Sequence, residues 1–161
     1  MHYKKDYAKS VGVLFNWDDD TPTEVIITKR HDVAEYVPGE FYKREMPCVL
    51  DLIEKVALEK LDAVLVDGHV YIDNAFGHGL GGYVYEALNR AVPVIGVAKR
   101  AFHANDKTNR AVLRGNSKNP LYVSAIGADL DTAAQAVKNM HGDFRMPTLL
   151  QVLDTETKKD D

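Results

Sequence analysis

Val11 to Trp17 (VGVLFNW) is a short apolar run rich in β-formers. The turn formers Asp18-Asp19-Asp20-Thr21-Pro22 separate it from a second such run, Thr23 to Lys29 (TEVIITK). This pattern predicts an antiparallel hairpin. Further on, Val49, Leu50, Ile53, Val56, Ala57 and Leu61 recur at helical spacing while Asp51, Glu54, Lys55 and Glu59 fall on the other side. With Pro47 at the first helical position, they predict an amphipathic helix whose apolar stripe covers a sheet. Ala63-Val64-Leu65-Val66 is a continuous apolar run ending in Asp67-Gly68, and a similar run, Val92 to Ala98, follows a short helical stretch around Val84 to Arg90. Runs buried on both faces and separated by a helix predict parallel strands joined by a crossover. Arg110 to Arg114 and Leu121 to Ser124 are further strands with partners left open. Asp129 or Asp131 caps a helix through Met140, lined by Leu130, Ala133, Ala134 and Val137.

The expected class is therefore α/β: a mixed sheet with an N-terminal antiparallel hairpin and parallel strands flanked by helices. A single domain over residues 1–157 is expected, with 158–161 a charged disordered tail. In open sheets of this class ligands sit beyond the carboxyl ends of the strands, which makes Asp67 and Lys99, each ending an apolar run, candidates for one cleft. Composition narrows the choice. The 161 residues are 45% hydrophobic and 27% charged, the balance of a chain that folds. A net charge of −4 supplies no bulk positive field, so any nucleic-acid contact is a local patch. The single cysteine, Cys48, forms no internal disulfide, the first residues carry charge where a signal segment is apolar, and no apolar run approaches the roughly 20 residues that span a bilayer. A cytoplasmic location without membrane function is expected, and so is a monomer.

Asp67 suits a metal carboxylate, with Gly68 allowing close approach of a ligand; the plainer reading is a loop cap. Tyr36-Val37-Pro38-Gly39 is a rigid turn that projects an apolar, aromatic tip, the kind that wedges between stacked bases, or else a surface turn with a packed tyrosine. Lys43 and Arg44 suit phosphates, and Glu45 a cation; a solvated charge run has the same composition. Gly77-His78-Gly79-Leu80-Gly81-Gly82 lacks the strand-GxxxxGK[ST]-helix setting of a nucleotide loop, so its glycines are expected to admit a nucleic-acid backbone. Lys107, Arg110, Arg114 and Lys118 form either a positive rim near Lys99 or ordinary solvated charge.

In order along the chain, YVPGEFYKRE, VLVDG, VPVIGVAKR, NPLYVS and FRMP with Asp154 beyond it resemble the endonuclease V family, the deoxyinosine 3′-endonucleases. Tyr36, Pro38, Gly39, Arg44 and Glu45 fall at that family's spacing, and Ile95 to Lys99 resembles its strand ending in lysine. The resemblance implies an RNase H-like fold and a Mg²⁺- or Mn²⁺-dependent nuclease that cuts the second phosphodiester bond on the 3′ side of hypoxanthine, a DNA-repair activity. It implies Asp67, Glu45 and Asp154 as metal ligands and Lys99 as the group that stabilises charge or orients the attacking water. It also implies Tyr36 to Gly39 as the wedge, with Lys43, Arg44 and Gly68 among the nucleic-acid contacts. The expected partner is DNA with deaminated bases, or single-stranded RNA, since nothing in the sequence senses the sugar. Clustered carboxylates fit this chemistry because hard cations prefer oxygen ligands and a phosphodiester gathers charge as it breaks.

Two departures accompany the matches. The family's first catalytic aspartate ends a strand ahead of the hairpin, and the chain as given begins after that position. This leaves a second reading open: a catalytically impaired homologue that keeps nucleic-acid binding. The histidine that relatives carry after Asp-Gly has His78 as its nearest counterpart and His69 as the next, and the family's Ser-Pro-Gly-His reads Ser124-Ala125-Ile126-Gly127 here.

Overall fold

A computed structural model describes residues 1–3, 7–31 and 41–159. The chain divides into two compact units: Met1–Ala57 with Met140–Gly142 and Met146–Asp161, and Leu58–Asn139 with Asp143–Arg145.

In the first unit, β1 (His2–Tyr3), β2 (Ala8–Leu14) and β3 (Glu24–Arg30) form an antiparallel sheet with β2 in the centre. The hairpin register pairs Val11 with Ile27 and Val13 with Val25, as the two apolar runs predict, although β2 starts earlier, at Ala8. Ala8, Lys9, Ser10 and Val11 are all buried because helices cover both faces of β2. On one face α1 (Phe41–Ile53) packs on β2, with Leu52 lying over Gly12. On the other face, Lys9 reaches α4 (Thr148–Lys158), donating from Nζ to the Glu156 and Lys159 carbonyls at 2.9 and 2.8 Å. A buried ammonium thus caps the negative end of a helix. Lys9→Met leaves those carbonyls without that charged donor and is expected to cost about 2 kcal/mol, read as a lower urea midpoint.

Two boundaries differ from the sequence expectation. Helix α1 begins six residues before Pro47, which lies inside it, and ends at Ile53 rather than running on to Leu61. Proline is disfavoured there by its missing amide and its ring. The packing of α1 on β2 and β3, together with Arg30 Nη1 at 3.0 Å from both Asp51 oxygens, favours the helix in spite of it. Helix α4 was not anticipated. It includes Lys158, the first residue of the expected charged tail; residues 160 and 161 lie outside the described residues.

The second unit contains a four-stranded sheet in the order β4 (Val64–Asp67), β5 (Val94–Ala98), β7 (Leu121–Ile126), β6 (Arg110–Val112). β4 and β5 are parallel, as the two apolar runs predict, while β7 is antiparallel to both β5 and β6. All five residues of β5 are buried. Helix α2 (Leu80–Ala87) makes the crossover between β4 and β5, starting four residues earlier than expected. Helix α3 (Leu130–Lys138) packs on β7 and is capped by Asp129, whose carboxylate accepts from the Thr132 amide at 2.9 Å and from its hydroxyl at 2.8 Å. Those two bonds hold the Asp129 carboxyl below the usual carboxylate range.

Candidate nucleic-acid site

Asp67 closes β4 at the carboxyl end of the parallel pair, opposite Val97 of β5. Lys99 follows β5 by one residue, so the two emerge from the same end of the sheet. Both side chains are exposed, and neither makes a hydrogen bond or ion pair among the described residues. The backbone around them is firmly held. Gly68 N donates to Val97 O at 3.1 Å, and the buried Ser124 hydroxyl of β7 accepts from Val70 N at 3.0 Å. Arg145 donates to Lys99 O at 2.6 Å and, through Nη2 and Nε, to Pro120 O at 2.7 and 3.2 Å. The arginine of FRMP therefore fixes the turn that carries Lys99. Sequence supplied the motif but not this role, because the contact joins residues far apart in the chain.

His78, the nearest counterpart of the family's loop histidine, lies 3.4 Å from Glu86 of α2 and packs edge-on against Tyr83. Its Nδ1 is buried without a hydrogen-bond partner among the described residues. His69 is 7% exposed, and its Nε2 lies 2.7 Å from the Arg100 carbonyl. A carbonyl only accepts, so Nε2 carries the proton and Nδ1 accepts from Asn105 Nδ2 at 3.2 Å. Asn105, fully buried, also donates to Tyr71 O and accepts from Phe102 N and the Asn109 amide. A polar residue in a loop gives no sequence signal for this role; its burial follows from two connections packing together.

The glycines of 77–82 serve internal packing instead of an incoming backbone. A Cβ at Gly79 would lie 2.7 Å from His69 O, one at Gly81 2.9 Å from Val70, and one at Gly82 2.5 Å from His78. The expected positive rim is likewise smaller. Arg114 is buried and donates to the carbonyls of Lys138, Phe144 and Arg145, and burial lowers its pKa. Arg110 pairs with Asp131 at 2.9 Å, whereas Lys107 and Lys118 are exposed.

In the first unit, Glu45 lies on α1 and accepts from the Tyr3 hydroxyl at 3.3 Å. The Arg44 guanidinium stacks 3.7 Å from the centre of the same ring. Burial, followed by the Glu45 carboxylate, pushes the Tyr3 phenol well above its ordinary pKa, so it stays a donor. Lys43 is exposed on α1, and Asp154 lies exposed on α4, paired with Lys158 at 2.9 Å. Tyr36, Val37, Pro38 and Gly39 lie outside the described residues. Among the described residues no group of three or more His, Cys, Asp or Glu side chains is gathered to hold a metal ion. Asp67 offers an open carboxylate; Glu45 and Asp154 already hold other partners. The described donor set is not a formed cation cage. No helix among the described residues is long and apolar enough to cross a membrane.

Solved structures similar to this chain share its fold. Endonuclease V from Bacillus subtilis is 18% identical, with 94% of this chain and 79% of that chain covered and a TM-score of 0.70. The catalytic domain of human Endonuclease V is 19% identical, with coverages of 95% and 81% and a TM-score of 0.67. Endonuclease V from Ciona intestinalis, solved with a DNA containing an inosine followed by a ribo-adenosine, is 18% identical, with coverages of 95% and 84% and a TM-score of 0.70. A comparison with curated proteins finds no match. The family model described as Endonuclease V matches residues 1–113, a stretch that holds Glu45, Asp67 and Lys99 and leaves Arg145 and Asp154 beyond it. With more than half of its length matched and an RNase H-like arrangement of strands and helices, this chain belongs to the Endonuclease V family.

Proposed function

We propose that this protein is an endonuclease for nucleic acid carrying deaminated bases, hypoxanthine foremost, hydrolysing a phosphodiester on the 3′ side of the lesion. DNA is the favoured substrate, single-stranded RNA the second, and DNA repair the role. The observation that carries the reading is the pair Asp67 and Lys99, presented at one sheet end of a family member with their side chains open to a ligand. In this reading Lys99 places its ammonium against the scissile phosphate, offsetting charge as it develops on the oxygens. Asp67 is the carboxylate at the reacting centre. Tyr36 to Gly39 fill the space left by the extruded base, and Gly68 allows the strand close to the turn.

Mg²⁺ or Mn²⁺ belongs to the proposal: when bound, such an ion neutralises phosphate charge and activates water. Asp67 suits it as it stands. The family resemblance adds Glu45 and Asp154 as ligands; in this structure they hold Tyr3 and Lys158. Among the described residues no three acidic or imidazole groups are gathered, and the second reading is a homologue that binds inosine-containing strands without cutting them. One experiment separates the two. Single strands carrying inosine or deoxyadenosine at one position are incubated with the protein and Mn²⁺, then assayed for retention and for breakage. Breakage of the inosine strand alone supports the nuclease; selective retention without breakage supports the binder. Equal behaviour of both strands defeats both.

A further inference from the structure

The connections that leave β4 and β5 are stapled to each other. Asn74 Nδ2 donates to Asp106 at 2.8 Å, Lys107 N donates to Asn74 Oδ1 at 2.9 Å, and Asn105 Nδ2 donates to Tyr71 O at 2.9 Å. From this held surface Phe76 projects with 63% of its area exposed, set edge-to-face on Tyr71 at 5.2 Å, and Ile72 nearby is 49% exposed. Phe76 also has φ +65°. The left-handed region disfavours a bulky side chain and suits glycine or asparagine. An aromatic kept there, with most of its surface in water, contributes little to the core and strains the backbone.

The local charges indicate what covers the ring. Asp73 is occupied by the amides of Ala75 and Gly77, and Asp106 by Asn74. Lys99, Arg100 and Lys107, on the partner connection, are exposed and make no ion pair among the described residues. An open aromatic face on a connection joined to one that carries open cations fits a ligand with flat π surfaces on an anionic backbone.

We propose that Phe76, backed by Tyr71, is a stacking platform for an unpaired base of a nucleic-acid strand, with Lys99, Arg100 and Lys107 meeting its phosphates. This rests on the reading of nucleic acid as the ligand and adds a contact that does not depend on the lesion. Stacking is tolerant of base identity, so the platform holds damaged and undamaged strands alike.

The test is fluorescence anisotropy with labelled single strands, with and without inosine, in EDTA so that nothing is cut. Phe76→Asn suits the left-handed backbone but removes the ring. It is expected to weaken binding of both strands by a similar factor, roughly 5- to 50-fold, leaving the inosine preference unchanged and the melting temperature no lower. Phe76→Trp is expected to retain the affinity. Wild-type affinity in Phe76→Asn overturns the platform, as does failure of the wild type to bind either strand. So does a loss of binding accompanied by a lower melting temperature, which makes the ring structural. A wild type without inosine preference whose binding still depends on Phe76 supports the platform and strikes the reading of the lesion.

Discussion

Asp67→Asn is expected to reduce cleavage of an inosine-containing strand by about a hundredfold or more while leaving the melting temperature unchanged. The two effects separate because the Asp67 carboxylate is exposed and makes no hydrogen bond among the described residues. The backbone of its turn is held instead by Gly68 N on Val97 O and by Val70 N on Ser124. Asparagine keeps the volume and removes the charge, so a loss of rate reports the carboxylate itself. Rates in Mn²⁺ and thermal unfolding of the same preparations check this. A variant that cuts as well as the parent removes Asp67 from the reaction; one that unfolds early assigns it to the fold.

Gly96→Ala is expected to lower stability strongly. Its Cβ would lie 2.5 Å from Gly68 O, 2.6 Å from Ser124 Oγ and 3.0 Å from Val70 N. Two of these neighbours are backbone atoms of the turn that follows Asp67, and the third is the hydroxyl that holds Val70. None is the end of a flexible side chain able to swing away, and β5 is buried along its whole length. One methyl group therefore pushes β5 away from the turn or breaks the Ser124 bond, at about 3 kcal/mol. Urea unfolding measures the cost; a change below about 0.5 kcal/mol shows that the turn yields easily. Gly96→Ala also disturbs Asp67, so its loss of activity is expected to follow its loss of stability, unlike that of Asp67→Asn.

The parts of the fold legible in the sequence are those where one local rule decides. Val64 to Val66 and Val94 to Ala98 are apolar throughout, and they form the parallel pair. Asp129 stands before a periodic run and caps it. The misreadings come from contacts between distant segments. Pro47 suggests a helix start, yet packing on the hairpin extends α1 to Phe41. The expected hairpin begins at Val11, but β2 starts at Ala8, and a helix covers one of its faces and supplies carbonyls for the Lys9 ammonium. Asn105 and Arg145 act on backbone atoms dozens of residues away. The candidate site divides along the same line. Asp67 and Lys99 end apolar runs, so strand pairing alone brings them to one sheet end. Glu45 and Asp154 came from the family resemblance, and the structure finds each with a partner of its own.

The position of the cut tests the proposed function most directly. A 5′-labelled single strand with one inosine, incubated with the protein and Mg²⁺ or Mn²⁺, is expected to yield one labelled product ending one nucleotide beyond the inosine, with no product from the deoxyadenosine control. An intact inosine strand, or breaks scattered along both strands, would contradict a nuclease directed by the deaminated base.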